Sequence, residues 1–446
     1  MADLPLIRNF GPNAVFAQRH GSPLCISRFL AHVRQVAADL PAASHAVNLC
    51  TDRYNFSVAF SAALMRRQVS LLPPNQTPEL FSRLSQSYPG AYCIVDSDIE
   101  HQPLTAIRLP DWVDKHERAS AIPSFPETQI AAIVLTSGST GESTPHPKTW
   151  GALVASVSAE FERLGLKAES GTAIVGTVPP QHMYGLESTV VLAMQGGLTM
   201  HAARPFYPSD IAAELQALSR PRALVTTPIH LRTLIAESAV LPPVDFLICA
   251  TAPLSPQLAA AAETRFAAPL YEVYGCTEAG QVATRRTVKT SEWSALPGIA
   301  LRQDEHGTWI KGGHVYQEVL LGDVIELRSR KRFLLHGRHA DLVNIAGKRT
   351  SLAHLNYHLN SIEGVTDGVF VVPEAANGEM VTRLMALVVA PGMTKQELMK
   401  ALRRRVDAAF LPRPLCLVDA LPRNETSKLP REALANLVSE LATRAA

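Results

Sequence analysis

The sequence predicts an α/β protein: a large amino-terminal region of parallel α/β sheet subdomains plus a small β-rich subdomain, then an α+β carboxyl-terminal domain. From about residue 130, short apolar runs alternate with amphipathic stretches, which is the pattern of parallel strands joined by helices. After Pro297 the runs become short and β-rich, and mixed patterning returns after Gly337. We therefore expect one domain at 1–337 and a second at 338–446.

The individual elements follow from the spacing of apolar residues. Residues 1–125 are the least specific part and predict one helix around 26–39. Beyond them the spacing predicts helices at 150–165 and 210–219, and buried strands at 131–136, 172–178, 223–227, 244–250 and 270–275. Asp210 suits a cap or the first turn of its helix, because the helix dipole stabilises an acid there.

The last third of the chain divides into two patterns. Four short runs predict a small antiparallel sheet or barrel-like subdomain: TWIKG, VYQEVLLG, VIELRS and RFLLHG. The residues that follow predict a helix near 351–361, a helix over TKQELMKALRRRVDAAF, and strands in VTDGVFVVP, RLMALVVA and LCLVD.

Composition narrows the class of protein. The chain is 47% hydrophobic and 18% charged, with a net charge of +2, so nothing in it favours a nucleic-acid partner or an anionic membrane. The six cysteines form no C-x-x-C pair, which fits reduced thiols in the cytoplasm and gives no zinc-site spacing. We see no signal-peptide pattern and no apolar run near the roughly 18 residues of a membrane span. We expect a cytoplasmic protein.

The stretch TSGSTGESTPHPKTW, residues 136–150, predicts a phosphate-binding loop behind a buried strand. Glycines let backbone N–H groups turn toward a phosphate, and hydroxyls add donors. A Walker loop places lysine directly after its second glycine, whereas Glu142 follows Gly141 here. Lys148 comes later, with either a supporting role toward pyrophosphate or solvent exposure. By itself, an ordinary Ser/Gly surface loop is an equal alternative.

Six segments, in order, resemble the adenylate-forming superfamily of acyl-CoA synthetases, aryl-acid ligases and carrier-protein-loading adenylation domains. They are TSGSTG, VPPQHMYGLE (178–187), YGCTE (274–278), LGD (321–323), GRHADLVNIAGKR (337–349) and LPRNETSKLPREAL (421–434). Within that superfamily, PPQHMYGLE with HPKTWG is similar to the short ligases of aryl-polyene, xanthomonadin-type pigment pathways. The resemblance implies that ATP and a carboxylic acid form an acyl-adenylate, whose acyl group then passes to a thiol.

The resemblance assigns a nucleotide site. The β- and γ-phosphates of ATP would be cradled by Thr136, Ser137, Gly138, Ser139, Thr140 and Gly141. Tyr274 and Gly275 would lie against adenine, near Ala252, with the glycine allowing close approach. Thr277 would bond the α-phosphate, and Glu278 would hold Mg²⁺. Asp323 would accept from both ribose hydroxyls, with Arg338 assisting. The alternatives are solvated turn acids for Glu278 and Asp323, and an interdomain salt bridge for Arg338.

The resemblance also assigns a catalytic lysine on a mobile carboxyl-terminal domain. Lys428 would bridge the substrate carboxylate and the α-phosphate as negative charge builds. Ser427 stands where glycine is usual. The domain would then rotate about a hinge at Asp341 and present Gly347 to the thiol tunnel. His182 would act as a gate, although a lone histidine is more often structural.

The acid pocket is predicted from residues on three segments: Tyr184, Gly185, Pro228, His230, Leu231 and Ala250. Apolar and aromatic walls suit a small aryl or short acyl acid. His230 would bond a ring hydroxyl, or else lie on a helix surface. We find no acidic residue placed to anchor an α-amino group, which disfavours amino acids as substrates.

The identity of the thiol rests on a weaker feature. Arg403, Arg404 and Arg405 form a basic run that suits an acidic carrier protein, although a solvated helix face is an equal reading. We predict transfer of a 3- or 4-hydroxybenzoate-like acid to an acyl carrier protein, with coenzyme A as the alternative acceptor. The alternatives from other classes are a phosphate-loop kinase or GTPase, which would release ADP, and a non-catalytic nucleotide-binding module.

Overall fold

The computed structural model describes residues 2–8, 11–99, 104–110, 112, 119, 121–137, 143–168, 170–237, 240–338, 342–345, 348–373, 384–424 and 428–445. Residues 2–149 form β1 (Asp3–Pro5), β2 (Val15–Arg19), β3 (Ser22–Cys25), α1 (Ile26–Asp39), β4 (His45–Asn48), α2 (Arg53–Met65), β5 (Val69–Leu72), α3 (Pro78–Ser87), β6 (Tyr92–Val95), β7 (Ala106–Arg108), β8 (Ser124–Pro126), β9 (Ile130–Ser137) and β10 (Ser143–Thr149).

Residues 150–295 form α4 (Trp150–Arg163), β11 (Ala173–Gly176), α5 (Met183–Gly185), a π-helical turn (Leu186–Val191), α6 (Leu192–Gly196), β12 (Thr199–His201), α7 (Pro208–Ala217), β13 (Arg222–Thr226), α8 (Pro228–Ala236), β14 (Phe246–Cys249), α9 (Pro256–Phe266), β15 (Leu270–Cys276), β16 (Gly280–Arg285) and β17 (Trp293–Ala295).

Residues 300–445 form β18 (Ala300–Asp304), β19 (Gly307–Gly312), β20 (Val315–Leu321), β21 (Asp323–Ser329), β22 (Arg332–Arg338), β23 (Leu342–Ile345), β24 (Lys348–Ser351), α10 (Leu352–Asn360), β25 (Asp367–Val371), β26 (Met385–Val389), α11 (Lys395–Arg403), a 3₁₀ turn (Ala408–Phe410), β27 (Leu415–Leu417) and α12 (Arg431–Ala445).

Two large sheets build the amino-terminal region. Among the described strands, the first sheet has the order β10-β9-β5-β4-β6-β7 and the second β21-β22-β17-β16-β15-β14-β13-β11-β12-β2-β3. The centre of each sheet is parallel. Antiparallel strands lie at the β10 edge of the first sheet and at both edges of the second, whereas β7 is parallel to β6. Helices α1, α2 and α4 contribute to the largest apolar core with residues such as Phe29, Tyr54 and Trp150. The predicted α/β class is confirmed.

The strands of the β-rich segment pair differently from the prediction. Strands β18, β19 and β20 do form a small antiparallel sheet. The runs VIELRS and RFLLHG, expected in that same sheet, instead become β21 and β22 and extend the second large sheet through β17. Their apolar residues, including Ile325 and Phe333, pack into the core around Trp293, and this burial pulls the hairpin onto the large sheet.

The carboxyl-terminal residues form the predicted α+β arrangement. Strands β25, β26 and β27 make one sheet, and α10 and α11 pack their apolar residues into its core. The long helix expected through Phe410 ends at Arg403. Beyond its end, Val406 packs against the core and Phe410 enters the core from a 3₁₀ turn. α11 begins with a capping box in which Thr394 and Glu397 exchange hydrogen bonds.

One strand beside the phosphate loop was not predicted. β10 pairs antiparallel with β9 over Ser143–Thr149, although it contains Pro145 and Pro147. β10 is an edge strand, where a missing backbone N–H can face away from the sheet, so prolines are tolerated. Thr149 then caps α4 by accepting from the Ala152 amide at 3.2 Å.

Candidate active site

Two predicted nucleotide-binding residues, 49 positions apart, meet in the structure. The Tyr274 hydroxyl, near the end of β15, donates to Oδ2 of Asp323 at 2.6 Å. The Tyr274 ring packs against Trp293 and Phe333, each at a centroid distance of 5.7 Å. Asp323 lies directly opposite Arg338 in the β21–β22 pairing. The fold therefore collects Tyr274, Asp323 and Arg338 at one place.

The turn between β15 and β16 carries the predicted metal ligand. Thr277 is half-buried and Glu278 is exposed. Gly275 was expected to allow close approach of adenine, but the structure gives another reason for it. A Cβ at Gly275 would lie 2.4 Å from the carbonyl oxygen of Gly280, so the tight hairpin itself requires glycine.

The phosphate loop is described at its two ends only. Ser137 ends β9, and Gly138, Ser139, Thr140 and Gly141 lie outside the described residues. The Thr136 hydroxyl lies 3.1 Å from Nε2 of His146 on β10. Burial lowers the pKa of His146, and the nearby Glu278 carboxylate opposes that effect. Thr136, His146 and Glu278 therefore lie near one another.

Solvent exposure was one of the two alternatives predicted for Lys148, and the structure contradicts it. Only 7% of the residue is accessible, and Nζ donates to the backbone carbonyl of Glu278 at 2.7 Å. Burial lowers the pKa of Lys148, while Glu187, Cys276 and Glu278 attract the ammonium and act in the opposite direction. The lysine that comes late in the loop sequence thus reaches the turn of the predicted metal ligand.

A buried polar network that the sequence analysis missed lies beneath the same turn. The Ser156 hydroxyl on α4 donates to Oε1 of Glu187 at 2.5 Å. Gln281, on β16, donates to Glu160 of α4 at 2.8 Å, and Ser188 donates to the same carboxyl group at 2.9 Å. Burial raises the pKa of Glu187 and that of Glu160. No local signal marks Glu187 as buried, because polar Ser188 and Thr189 follow it directly in the sequence.

The predicted acid pocket brings Tyr184 together with two strand ends. The Tyr184 hydroxyl donates to the carbonyls of Thr226 and Ile248, at 3.1 and 3.0 Å. Ala250 is buried just beyond β14, and Ala252 is half-buried. Between these alanines, Thr251 has a φ of 86°, and its buried hydroxyl has no hydrogen-bond partner within the described part of the chain. Such strain is typical of binding sites.

The residues predicted from α8 occupy different environments. His230 is buried rather than on the helix surface, and its Nδ1 lies within 3.1 Å of the Thr177 and Thr227 hydroxyls. Burial, helped by the positive charge of Arg204, lowers the pKa of His230 to about 4, so the imidazole is neutral at pH 7. Pro228 opens the helix, and Leu231 is fully buried in the apolar core of that face.

Gly185 is required by its surroundings, and we expect Gly185→Ala to destabilise the protein. An added Cβ would lie 2.0 Å from the carbonyl oxygen of Pro179. Overpacking typically costs about 1–3 kcal/mol, and a contact this short with rigid backbone belongs at the upper end of that range. Urea unfolding should therefore show a lower midpoint. Gly322→Ala is the control, because nothing lies within 4 Å of its added Cβ. Equal midpoints for the two variants would contradict the expectation.

The predicted catalytic lysine lies on an exposed loop. Lys428 is exposed, its amide donates to the Asn424 side chain at 2.9 Å, and Asn424 donates back to the Lys428 carbonyl at 2.9 Å. Arg423, just before this loop, donates to both carboxylate oxygens of Asp367, at 2.6 and 2.8 Å. Arg232 of α8 also contacts Asp367, at 3.5 Å, and so joins the two regions of the chain.

Three further predicted residues receive no test of their roles from the geometry. His182 is half-buried just before α5, and its carbonyl accepts the Leu186 amide at 2.8 Å. Asp341 and Gly347 lie outside the described residues. Gating by His182 and the hinge and tunnel roles of the other two residues stay predictions.

Comparison with known proteins identifies what the chain resembles. The family model described as "AMP-binding enzyme" matches residues 64–305, more than half of the chain. 4-Coumarate–CoA ligase of Rhodobacter capsulatus is 25% identical over 302 residues, which cover 68% of this chain and 74% of that protein. 2-Succinylbenzoate–CoA ligase of Staphylococcus epidermidis is 24% identical over 352 residues, covering 72% of each.

A solved structure shares the fold over nearly the whole chain. O-succinylbenzoate coenzyme A synthetase from Bacillus subtilis, in complex with ATP and magnesium ion, superposes with a TM-score of 0.79 at 18% identity. The match covers 95% of this chain and 97% of the other. None of the described helices combines the length and the apolar character needed to cross a bilayer.

Proposed function

The chain belongs to the AMP-binding enzyme family, and we propose that it is an ATP-dependent acid–thiol ligase acting through an acyl-adenylate. The observation that carries the proposal is the hydrogen bond between Tyr274 and Asp323. It joins the residue proposed to stack on adenine to the residue proposed to bind ribose, although different strands supply them. The family membership agrees with the resemblance drawn from the motifs.

The reaction has two steps. In the first, a carboxylate oxygen of the acid attacks the α-phosphorus of ATP, and the bond from that phosphorus to the pyrophosphate oxygen breaks. In the second, the sulfur of a thiol attacks the acyl carbon, its proton passes to solvent, and AMP leaves with the electrons of the broken C–O bond. Both steps depend on positioning and on neutralising negative charge.

The residues of this chain fit the charge of the first step. Thr277 would donate to the α-phosphate, and the Lys428 ammonium would lie between the acid and that phosphate. Glu278 presents an exposed carboxylate, and Mg²⁺ in proteins is commonly held by one or two carboxylates together with substrate phosphates. Bound there with ATP, Mg²⁺ would supply further neutralisation of phosphate charge.

We propose that the chain divides functionally at residues 337 and 338. Strand β22 ends at Arg338, and the following strands belong to other sheets. The second region carries Lys428, and it would rotate between the two steps so that the lysine withdraws and the thiol enters. The ion pair of Asp367 with Arg232 crosses this boundary, so such a rotation would break it. The ion pair of Asp367 with Arg423 lies within the second region and would be kept.

For the acid we propose a hydroxybenzoate-like aryl acid. The pocket residues Tyr184 and Ala250 offer aromatic and apolar surface beside the strained Thr251. His230 is neutral at pH 7, which suits a hydrogen bond to an uncharged ring hydroxyl more than an ion pair with a second carboxylate.

For the thiol, the relatives and the surface favour different acceptors. The relatives are named as CoA ligases, which supports coenzyme A. Arg403, Arg404 and Arg405 are all exposed at the end of α11, which supports an acidic carrier protein as the second candidate.

Mass spectrometry of thioester products distinguishes these acceptors. The full chain is incubated with ATP, Mg²⁺, 3- or 4-hydroxybenzoate, and either coenzyme A or a phosphopantetheine-loaded carrier protein. We expect a hydroxybenzoyl thioester together with AMP. If thioester forms faster on the carrier protein than on coenzyme A, and if replacing the three arginines with serine slows that reaction, the carrier protein is the acceptor. Absence of a thioester with every acid and both thiols would overturn the proposal.

A further inference from the structure

Strand β10 faces both halves of the proposed nucleotide site. Thr144, His146 and Lys148 alternate along it and therefore share one face. His146 contacts Thr136 of the phosphate loop at 3.1 Å, and Lys148 contacts the Glu278 carbonyl at 2.7 Å. A single short strand thus links the phosphate loop of the first sheet to the metal-ligand turn of the second.

The contact made by Lys148 is of an unusual kind. A buried ammonium is costly unless it is paired and hydrogen-bonded, yet this one donates to a backbone carbonyl rather than to a carboxylate. The carbonyl belongs to Glu278, whose own side chain remains exposed. The lysine therefore restrains the main chain at that residue and leaves its carboxylate available to a ligand.

The surroundings of the turn strengthen that restraint. α4, which directly follows β10, supplies Glu160 to Gln281 on the far side of the turn. It also supplies Ser156, which donates to Glu187. Glu187 lies close to Gly280 at the end of the turn, since a Cβ built on Gly280 would be 2.8 Å from Oε1 of Glu187. The residues of the turn are thus held from β10 on one side and from α4 on the other.

We propose that Lys148 is a positioning residue for MgATP: it fixes the backbone of Glu278 so that the exposed carboxylate meets the metal–phosphate group. The inference rests on the proposed function for its reaction, but it concerns nucleotide binding and is tested separately from it. It assigns Lys148 neither to solvent nor to direct contact with pyrophosphate.

The test compares Lys148→Met with Lys148→Arg in the full-length protein. Methionine keeps the apolar stem and removes the donor, whereas arginine keeps a donor. Because hydrogen bonds from charged groups are strong, we expect Lys148→Met to raise the KM for MgATP by about tenfold or more. The KM for the acid should change by less than about twofold, and Lys148→Arg should recover most of the loss. Lys311→Met, at an exposed position on β19, is the matched control.

The outcomes separate positioning from a general structural role. Equal rises in KM for MgATP and for the acid, or an arginine variant no better than methionine, would overturn the proposal. If Lys148→Met does not fold, Lys148→Gln is used, whose shorter amide should also weaken MgATP binding.

The same comparison can be made without catalysis. If the wild-type protein activates no acid, the proposed function fails, and the inference is measured by equilibrium titration with MgATP. Weaker binding by the methionine variant than by wild type would support it, and equal affinities would overturn it.

Discussion

Replacing Lys428 with alanine is expected to lower the rate of acid-dependent ATP–pyrophosphate exchange by about 100-fold or more. The reason is that the ammonium group proposed to stabilise negative charge in the transition state is lost. The side chain is exposed, and the loop is closed through the backbone of Lys428 and the Asn424 side chain. Substitution should therefore change the free energy of unfolding by less than about 0.5 kcal/mol. Exchange kinetics and urea unfolding measure the two effects.

The second step provides an internal control for Lys428. With preformed acyl-adenylate and thiol, the alanine variant should still form thioester, because the lysine is proposed to have withdrawn by then. Lys395→Ala, at an exposed position on α11, should leave both steps unchanged. Undiminished exchange in Lys428→Ala would remove Lys428 from the first step.

Replacing Asp323 with alanine is expected to raise the KM for ATP by about 100-fold, because two charge-assisted hydrogen bonds to the ribose would be lost. The acid should bind with an unchanged KM, since the pocket proposed for it, around Tyr184 and Ala250, does not include Asp323. Steady-state kinetics with ATP and acid varied in turn measure both constants.

Tyr274→Phe is the matched comparison for Asp323. It keeps the ring packed against Trp293 and Phe333 but removes the 2.6 Å bond to Asp323. We expect a rise in the KM for ATP of only about threefold to tenfold, because a single hydrogen bond between side chains is lost. An effect as large as that of Asp323→Ala would mean that the carboxylate acts by orienting the tyrosine rather than by binding ribose.

Local patterns predicted the parallel core of the fold well. Helix α1 was expected at 26–39 and is observed at Ile26–Asp39, and the strand expected at 131–136 is observed at Ile130–Ser137. The spacing of apolar residues alone predicts these elements. The placement of β21 and β22 could not be read in this way, because a hairpin carries no local record of the sheet that it will join.

In the site, too, local motifs identified individual residues but not the contacts that depend on the tertiary fold. Motifs predicted Tyr274 and Asp323, but their hydrogen bond depends on the pairing of β21 with β22 and on its junction with β17. The sequence showed only that Lys148 comes late in the loop, whereas its burial against Glu278 is a contact across 130 residues. The prolines on either side of His146 argued against a strand there, so the edge strand that carries Lys148 was not predicted. Glu160 and Glu187 were missed because buried acids resemble surface acids in a sequence.

Acid-dependent ATP–pyrophosphate exchange by the wild-type protein tests the central claim most directly. The protein is incubated with ATP, Mg²⁺, labelled pyrophosphate and a panel of aryl and short acyl acids, and the nucleotide products are separated. We predict that label enters ATP only when an acid is present, and that the nucleotide released on full turnover with thiol is AMP. Release of ADP, or folded protein that binds ATP but exchanges no label with any acid, would contradict the assignment.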